Sequence, residues 1–207
     1  MFICMKIYTY PLGPVQSNCY VLVKDHHAIL IDPGAVFDAL DSILLKEEAV
    51  LDAILLTHAH FDHIGGVDSI LAKYPVDVYL NPYEFDFLLD TQLNSSMYFY
   101  QHIQCHATCQ PFVQKEMEIG AFSVEPIFLP GHSIGSTVLK IENNLFTGDV
   151  LFQGSIGRCD LETGSTYAMQ KSLQYFKDCT EDYPIYPGHG PSSTVYQEKR
   201  WNPYLCE

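Results

Sequence analysis

The sequence predicts a single-domain α+β protein, and three observations lead to this prediction. The chain has 207 residues, a length that favours one domain with a buried core. Strand-like segments come first and are followed by mixed strands and helices, and this order occurs twice along the chain. No linker, low-complexity tract or run of charge divides the two halves. We therefore expect residues 1–207 to form one domain.

The composition excludes two classes of partner. Hydrophobic residues make up 47% of the chain and charged residues 17%, which is typical of a globular protein. The formal net charge is −14 at pH 7, whereas binding to nucleic acid needs basic surface. No apolar run approaches the roughly 18 residues of a membrane helix. We expect neither nucleic acid nor a membrane as partner.

The start of the chain and its cysteines indicate a compartment. Residues 1–6 do not show the basic segment and long apolar core of a signal peptide. The seven cysteines are odd in number and form no regular disulfide framework. Free thiols are typical of the reducing cytoplasm, so the expected location is cytoplasmic.

Three strands are predicted near the start. Residues 6–10 alternate in hydrophobicity, and the prolines and glycine of residues 11–14 predict a turn. Residues 18–23 and 28–32 form two more strands, joined by a short polar hairpin connection. His26 and His27 in that connection are interpreted as solvated turn residues. A helix is predicted over residues 35–46.

The middle of the chain begins with a strand–helix–strand unit. Residues 53–56 are a branched apolar run typical of a buried strand, residues 67–73 have helical spacing, and residues 76–80 form a strand. A further helix is predicted over residues 83–89. The aromatic cluster at residues 97–100 is either core or a lid over a pocket, and core is the more frequent role.

A second group of potential metal ligands lies in the same region. It consists of His102, Cys105, His106 and Cys109. Their spacing resembles that of a small zinc site, but the tract lacks the turn chemistry of a zinc knuckle. We therefore do not expect a structural metal there.

The second half contains further strands and helices. Strands are predicted over residues 122–129, 137–141, 144–147 and 184–186. Helices are predicted over residues 167–177, where Met169, Leu173 and Phe176 share one face, and over residues 195–201. Residues 154–160 form a glycine-rich loop.

Four metal-type residues lie on one loop between a predicted strand and a predicted helix. They are His58, His60, Asp62 and His63, in the segment Thr57-His58-Ala59-His60-Phe61-Asp62-His63. Loops at the carboxyl end of buried strands are where α/β proteins place ligand sites. Imidazole and carboxylate groups suit zinc and iron. The pattern therefore predicts a metal site.

Three more candidate ligands each follow a predicted strand. They are His132, Asp149 and His189, and both histidines stand in Pro-Gly-His, where glycine permits a sharp turn. Five histidines and two aspartates are enough for two metal ions. Asp32, at the end of the third strand, has two open roles: a turn or cap carboxylate, or support for a ligand histidine.

These seven positions, in this order, resemble the metallo-β-lactamase superfamily. The resemblance runs from residues 31–34 to residues 187–190 and implies a four-layer αββα sandwich. It implies one metal on His58, His60 and His132, and a second on Asp62, His63 and His189, with Asp149 bridging. The metals implied are most often zinc, with iron or manganese as alternatives. It also implies hydrolysis of an activated acyl bond by a metal-held hydroxide, with Asp62 orienting the nucleophile or carrying a proton.

Within that superfamily the chain is similar to the short glyoxalase II-like thioesterases. The similar segments are residues 57–66, 130–135, 147–152, 157–160 and 202–205. This implies hydrolysis of small hydroxyacyl thioesters such as lactoyl-glutathione. The chain departs from full-length glyoxalase II in lacking a helical extension after the last ligand and in reading Gly157-Arg158-Cys159-Asp160, so another small thiol is open.

Arg158 has two interpretations: an anchor for a substrate carboxylate, or an ion pair with Asp160. Other functions also remain open. One is a persulfide dioxygenase with a single iron on His58, His132 and Asp149. The rest are a lactonase or β-lactamase, a nuclease that the net charge disfavours, and a binding module without activity.

Overall fold

The computed structural model describes residues 5–99 and 102–206. Within them, six strands form a first sheet in the order β1-β2-β3-β4-β5-β6. These strands are β1 (Lys6–Leu12), β2 (Ser17–Lys24), β3 (His27–Ile31), β4 (Val50–Leu55), β5 (Asp77–Leu80) and β6 (Cys109–Pro111). β1, β2 and β3 pair antiparallel, and β3 to β6 pair parallel.

A second six-stranded sheet is formed by the later part of the chain. Its strands are β7 (Met117–Ile119), β8 (Phe122–Phe128), β9 (Thr137–Ile141), β10 (Asn144–Gly148), β13 (Pro184–Pro187) and β14 (Ser193–Thr194), in the order β14-β13-β10-β9-β8-β7. β10 and β13 are its parallel pair. A small hairpin of β11 (Leu151–Phe152) and β12 (Ser155–Ile156) follows β10.

Five α-helices lie in the described residues: α1 (Leu40–Lys46), α2 (Phe61–Ile64), α3 (Val67–Leu71), α4 (Thr166–Asp178) and α5 (Val195–Trp201). Two short 3-10 helices span Pro82–Leu88 and Ser96–Phe99. None of these helices is long and apolar enough to cross a membrane.

Alternation along the strands sorts the core into layers. In β2, Val21 packs towards α1 and α3, whereas Leu22 packs between the two sheets. The second sheet likewise presents Leu139 to the first sheet and Val138 to α4 and α5. Successive side chains of a strand point to opposite faces, so both sheets are covered by helices on their outer faces. The predicted four-layer αββα sandwich and single domain are confirmed.

Two predicted boundaries are wrong at the start of the chain. The turn predicted at residues 11–14 begins later, because β1 continues through Pro11 to Leu12. Proline is tolerated there since β1 is an edge strand. The helix predicted over residues 35–46 begins only at Leu40. Ahead of this helix the backbone is hydrogen-bonded to a different segment of the chain: Gly66 N–H donates to the Pro33 carbonyl at 2.7 Å.

The region after β5 departs most from the sequence interpretation. The predicted helix over residues 83–89 is a 3-10 helix, and the three-residue strands β6 and β7 were not predicted. The aromatic cluster is not core, since Tyr98 and Phe99 are 52% and 45% exposed; Tyr100 lies outside the described residues.

In the second group of potential metal ligands, Cys105 and His106 contact an aspartate, Asp68. His106 Nδ1 lies 2.9 Å from Asp68 Oδ2, and Cys105 Sγ donates to Asp68 Oδ1 at 3.5 Å. Among the described residues, no group with metal-ligand spacing includes this tract. His26 lies in the β2–β3 turn with a positive φ of 64° and is exposed. This agrees with the interpretation of His26 as a turn residue. The same interpretation is wrong for His27, which begins β3 and whose Nδ1 lies 3.0 Å from the carboxylate oxygens of Asp52.

Candidate metal centre

The candidate ligands meet at one edge of the sandwich because each follows a strand that ends there. His58 and His60 lie on the loop between β4 and α2, and Asp62 and His63 lie on α2 itself. His132, Asp149 and His189 follow β8, β10 and β13. The first sheet therefore supplies four of the residues and the second sheet supplies three.

The structure brings the seven residues together into three overlapping groups. In each group the ligand atoms lie within 4.8 Å of one another. The groups are His58, His60 and His132; His58, His63 and Asp149; and Asp62, His63 and His189. The first and third groups match the two positions that the resemblance implied.

Asp149 lies between these two outer groups. Its Oδ1 is 3.6 Å from His63 Nε2, and its Oδ2 is 3.5 Å from His132 Nε2 and 3.6 Å from His189 Nε2. The two oxygens of one carboxylate thus face ligands of both groups, which is the arrangement a bridging aspartate requires.

The unpaired atoms of the centre fit bound cations. His58 Nε2, His63 Nε2 and Asp149 Oδ1 are buried and have no hydrogen-bond partner among the described residues. Leaving such atoms unpaired is costly. Imidazole nitrogens and carboxylate oxygens are ligands of zinc, iron and manganese. A cation bound at this centre would therefore give these unpaired atoms a partner.

The charge state of the centre also suits cations. Burial lowers the pKa of His58 and His60 far below the usual range, and neighbouring histidines lower it further. Burial alone would lower the pKa of His63, but Asp62 and Asp32 outweigh it and raise that pKa to about 10. Without metal, a proton on His63 therefore balances the carboxylates, and metal binding must displace it.

Asp32 orients one ligand histidine. Its Oδ2 lies 3.0 Å from His63 Nδ1, while Thr57 donates its N–H to Oδ1 at 2.8 Å and its hydroxyl to Oδ2 at 2.6 Å. A carboxylate on Nδ1 fixes the ring with Nε2 directed at the metal position. Of the two roles open for Asp32, the contacts favour support of a ligand.

Glu84 is an important residue that sequence reasoning missed. It is fully buried on the Pro82–Leu88 helix. Ala59 N–H donates to its Oε2 at 2.5 Å, Gly135 N–H donates to its Oε1 at 2.9 Å, and the Ser133 hydroxyl also donates to Oε1. Glu84 therefore ties the loop of His58 and His60 to the loop of His132. Burial raises its pKa to about 7, although these donors act in the opposite direction.

Arg158 forms the ion pair that was one of its two interpretations. Its Nε donates to Asp160 Oδ1 at 2.7 Å and a terminal nitrogen donates to Oδ2 at 2.9 Å, both at the surface. Its carbonyl oxygen lies 2.8 Å from His132 Nδ1. The backbone of Arg158 thus orients a ligand, while its guanidinium is occupied.

Close backbone packing fixes the last ligand loop. A Cβ on Gly188 would lie 2.1 Å from Asp149 Oδ1, so this position requires glycine. From the first sheet, Asn18 Nδ2 donates to the carbonyls of Pro187 and Gly190 at 3.0 Å and 2.9 Å. β2 therefore holds the loop that carries His189.

A cavity of about 270 Å³ lies against the centre. Its walls are mainly apolar side chains: Val15, Phe61, Phe99, Phe152 and Leu161. His60, Asp62, His132, Asp149 and His189 line its floor, and Ser95, Gly157 and Arg158 complete it. The cavity is suited to a small, largely apolar substrate.

Fold, ligand order and cavity together define a metal-dependent hydrolase, and the chain belongs to the metallo-beta-lactamase superfamily. The model of that superfamily matches residues 12–189. The probable metallo-hydrolase YqgX of Bacillus subtilis is 37% identical, with 97% of this chain and 98% of that protein covered. The hydroxyacylglutathione hydrolase GloC of Haemophilus influenzae is 31% identical, with 97% and 98% covered.

Solved structures agree with the fold. The BLEG-1 B3 metallo-beta-lactamase is 39% identical with a TM-score of 0.92, covering 98% of this chain and 100% of that one. TTHA1623, solved in a di-iron-bound form, is 32% identical with a TM-score of 0.86, covering 96% of this chain and 100% of that one.

Proposed function

We propose that this protein hydrolyses small thioesters in the manner of glyoxalase II and that it uses two divalent metal ions. Zinc is the metal we propose first, with iron or manganese as alternatives. His58, His60 and His132 would hold one ion, Asp62, His63 and His189 would hold the other, and Asp149 lies where its carboxylate could serve both. The observation that carries the proposal is the overlap of the three ligand groups beside a mainly apolar cavity. The similarity to GloC supports a hydroxyacyl thioester as substrate.

Metal ions bound there would lower the pKa of a water and polarise an acyl carbonyl. The chain's own groups then position the attacking water and the acyl group. Burial raises the pKa of Asp62, but His63 and His189 outweigh it and hold that pKa below its usual range. Asp62 is therefore ionised before metal binds, and beside a bound cation it would stay ionised and could orient the attacking water or accept its proton. The apolar side chains of the cavity provide a surface against which the acyl group packs.

The charges around the cavity indicate which thiol the substrate can carry. Apart from histidines, the cationic side chain of the lining is Arg158, and its guanidinium is paired with Asp160. A strongly anionic thiol such as glutathione would find little attraction there, so another small thiol is an equal candidate. We place the reaction in the cytoplasm, which the six free cysteines of the described residues support.

Metal analysis combined with kinetics tests the proposal. We expect about two metal ions per chain in protein purified without added metal, and turnover of lactoyl-glutathione or lactoyl thioesters of simpler thiols. Asp149→Ala should lower kcat at least about 100-fold, because it removes a ligand to both ions. Asp178→Ala, an exposed change on α4, is the matched control and should be unaffected. Unchanged turnover in Asp149→Ala would refute the bridged centre.

The same assay separates the alternatives. One iron per chain with oxygen consumption on a persulfide would replace the proposal with a dioxygenase. Iron must be measured alongside zinc because the similar protein TTHA1623 holds two irons.

β-Lactam hydrolysis is a second candidate function, favoured by the similarity to BLEG-1. Both reactions add water to an acyl carbon, so the same ligands serve either one. Turnover of a chromogenic cephalosporin with a kcat/KM above that of every thioester tested would make the lactamase the better assignment.

A further inference from the structure

One residue of the cavity lining carries a buried hydroxyl that is unpaired within the part of the chain that the structure describes. Ser95 lines the cavity beside Phe61 and Phe99 and is 1% exposed. Its Oγ has no hydrogen-bond partner among the described residues. Buried hydroxyls in proteins are nearly always paired, so an unpaired one on a residue that lines a cavity is a candidate partner for a bound molecule.

The backbone of Ser95 is also unusual. Its φ of 67° lies in the left-handed region, which a residue with a side chain seldom adopts. Strain of this kind persists where the surrounding structure enforces it, and it concentrates at functional sites. The strain and the unpaired hydroxyl are independent observations on one residue.

The neighbouring residue supplies that enforcement. Asn94 Nδ2 donates to the carbonyls of Phe87 and Ile103 at 3.0 Å and 2.9 Å, and its Oδ1 accepts from Ser96 N–H at 3.0 Å. The Asn94 carbonyl accepts from Phe61 N–H at 2.9 Å, which links the turn to the ligand-bearing α2. Ser95 is thereby held at a fixed place relative to the metal centre.

We propose that Ser95 is a specificity-determining residue that hydrogen-bonds an uncharged polar group of the substrate, a hydroxyl or an amide, next to the thioester. This inference rests on the proposed thioesterase function. Apart from Ser95, the polar side chains of the lining are the candidate ligands and Arg158, which is paired with Asp160. A hydroxyl both donates and accepts, and the apolar walls around it disfavour a charged partner.

Two substrate pairs distinguish the source of the polar group. Lactoyl and propanoyl thioesters of one thiol differ by the acyl hydroxyl. Propanoyl thioesters of N-acetylcysteamine and of pentanethiol differ by the amide in the thiol. In at least one pair, wild type should prefer the polar member about tenfold or more in kcat/KM, since the apolar analogue leaves the hydroxyl unpaired. Ser95→Ala should reduce that preference to within about twofold.

Ser96→Ala is the matched control. Ser96 is also buried, but its hydroxyl accepts a hydrogen bond from Ile103 N–H at 3.2 Å. We expect this variant to lower the melting temperature by about 2–4 °C, the loss of one hydrogen bond, and to keep the substrate preference. Ser95→Ala should leave the melting temperature of the metal-loaded protein unchanged or raise it, because it removes a buried hydroxyl that has no partner.

The outcomes separate the two proposals. If wild type shows no preference in either pair, or if Ser95→Ala keeps the preference, the role of Ser95 is refuted while the thioesterase stands. If no thioester is hydrolysed, the proposed function fails. In that case the melting temperatures still test the role of Ser95. A fall in Ser95→Ala comparable to that of Ser96→Ala would refute this role, because it would reveal a hydrogen-bond partner within the fold.

Discussion

Two buried carboxylates, neither of them a candidate ligand, hold the residues of the metal centre in place. Asp32 contacts the ring of His63, whereas Glu84 contacts only backbone N–H groups and a serine hydroxyl. Glu84 acts on the loops that carry the ligands and so controls the separation of His58 and His60 from His132. Such supporting contacts commonly change metal affinity 10- to 100-fold.

Glu84→Gln should weaken metal binding at the position formed by His58, His60 and His132. One of its terminal atoms becomes an NH₂ group that faces a backbone N–H, so a hydrogen bond is lost and two donors oppose each other. We expect metal affinity to fall about tenfold or more and the free energy of unfolding to fall by about 1–3 kcal/mol. Calorimetric titration of the metal-free protein measures the first quantity.

A second buried glutamate provides the control for that experiment. Glu198 accepts Gly154 N–H at 2.7 Å and Asn202 Nδ2 at 2.9 Å, away from the ligand loops. Glu198→Gln should lose similar stability and keep its metal affinity. Equal losses of affinity in both variants would mean that Glu84 acts only through general stability.

The metal-free protein should lose stability as the pH rises from about 6.5 to about 10. Burial opposes protonation of His63, but Asp62 and Asp32 raise its folded-state pKa to about 10, above the ordinary value of 6.5. The folded state then holds a proton that the unfolded state releases, so the stabilisation is complete below pH 6.5 and is lost towards pH 10. Denaturant midpoints measured in chelator test this. His63→Asn should flatten the profile, and a rise in stability across this window would contradict the assignment.

At the scale of elements, α4 supports the loop that carries His132. Ser165 N–H donates to the Gly131 carbonyl at 2.8 Å, and the Ser172 hydroxyl donates to the Pro130 carbonyl at 2.6 Å. Gly131 lies so close to α4 that a Cβ would meet the Cα of Met169 at 2.5 Å. The helix and the loop therefore fit together only through a glycine.

Gly131→Ala should displace His132 and weaken metal binding. The added methyl group meets helix backbone, which cannot move aside as a flexible side chain would, and we expect a loss of about 3 kcal/mol or more in stability. Gly154→Ala is the comparison: its φ is also positive, at 70°, but nothing lies within 4 Å of the added Cβ. That variant should cost about 1 kcal/mol and keep metal binding. Thermal unfolding and metal content measure both effects, and equal metal content in the two variants would contradict this role.

Elements of more than four residues with clear periodicity could largely be predicted from the sequence. The strands β2, β3, β8 and β9 alternate or are largely apolar, and α4 buries Met169, Leu173 and Phe176 on one face as predicted. The candidate ligands could be identified too, since four of them follow β4 and His132, Asp149 and His189 follow β8, β10 and β13. Strands of two or three residues, such as β6, carry too little pattern. Glu84 and Ser95 could not be found because their roles depend on contacts or strain created by tertiary packing.

At the scale of the whole molecule, the metal centre joins the two sheets. Each of the three ligand groups combines residues from the first half of the chain with one from the second half: His132, Asp149 or His189. Metal bound there stabilises the packing of one sheet on the other, because the unfolded chain does not present these groups together.

Removing the metal should therefore lower the melting temperature of the whole domain in one cooperative step. At a free metal concentration about 1,000 times the Kd, binding contributes about 4 kcal/mol, which corresponds to roughly 8–16 °C for a domain of this size. Thermal unfolding with and without chelator measures the shift, and added zinc should restore it. Asp149→Ala should respond less to chelator, and an equal response in that variant would argue against a shared ion.

The division of every ligand group between the two halves also has a consequence for biosynthesis. A nascent chain folds from its N-terminus, and it presents His58, His60, Asp62 and His63 long before any of their partners exists. The three groups can close only after β8, β10 and β13, respectively, have been made. The loop of His189 also needs Asn18, some 170 residues earlier, as its anchor. We therefore expect metal to be acquired late in maturation, and a ribosome-bound N-terminal half should hold no complete site for it.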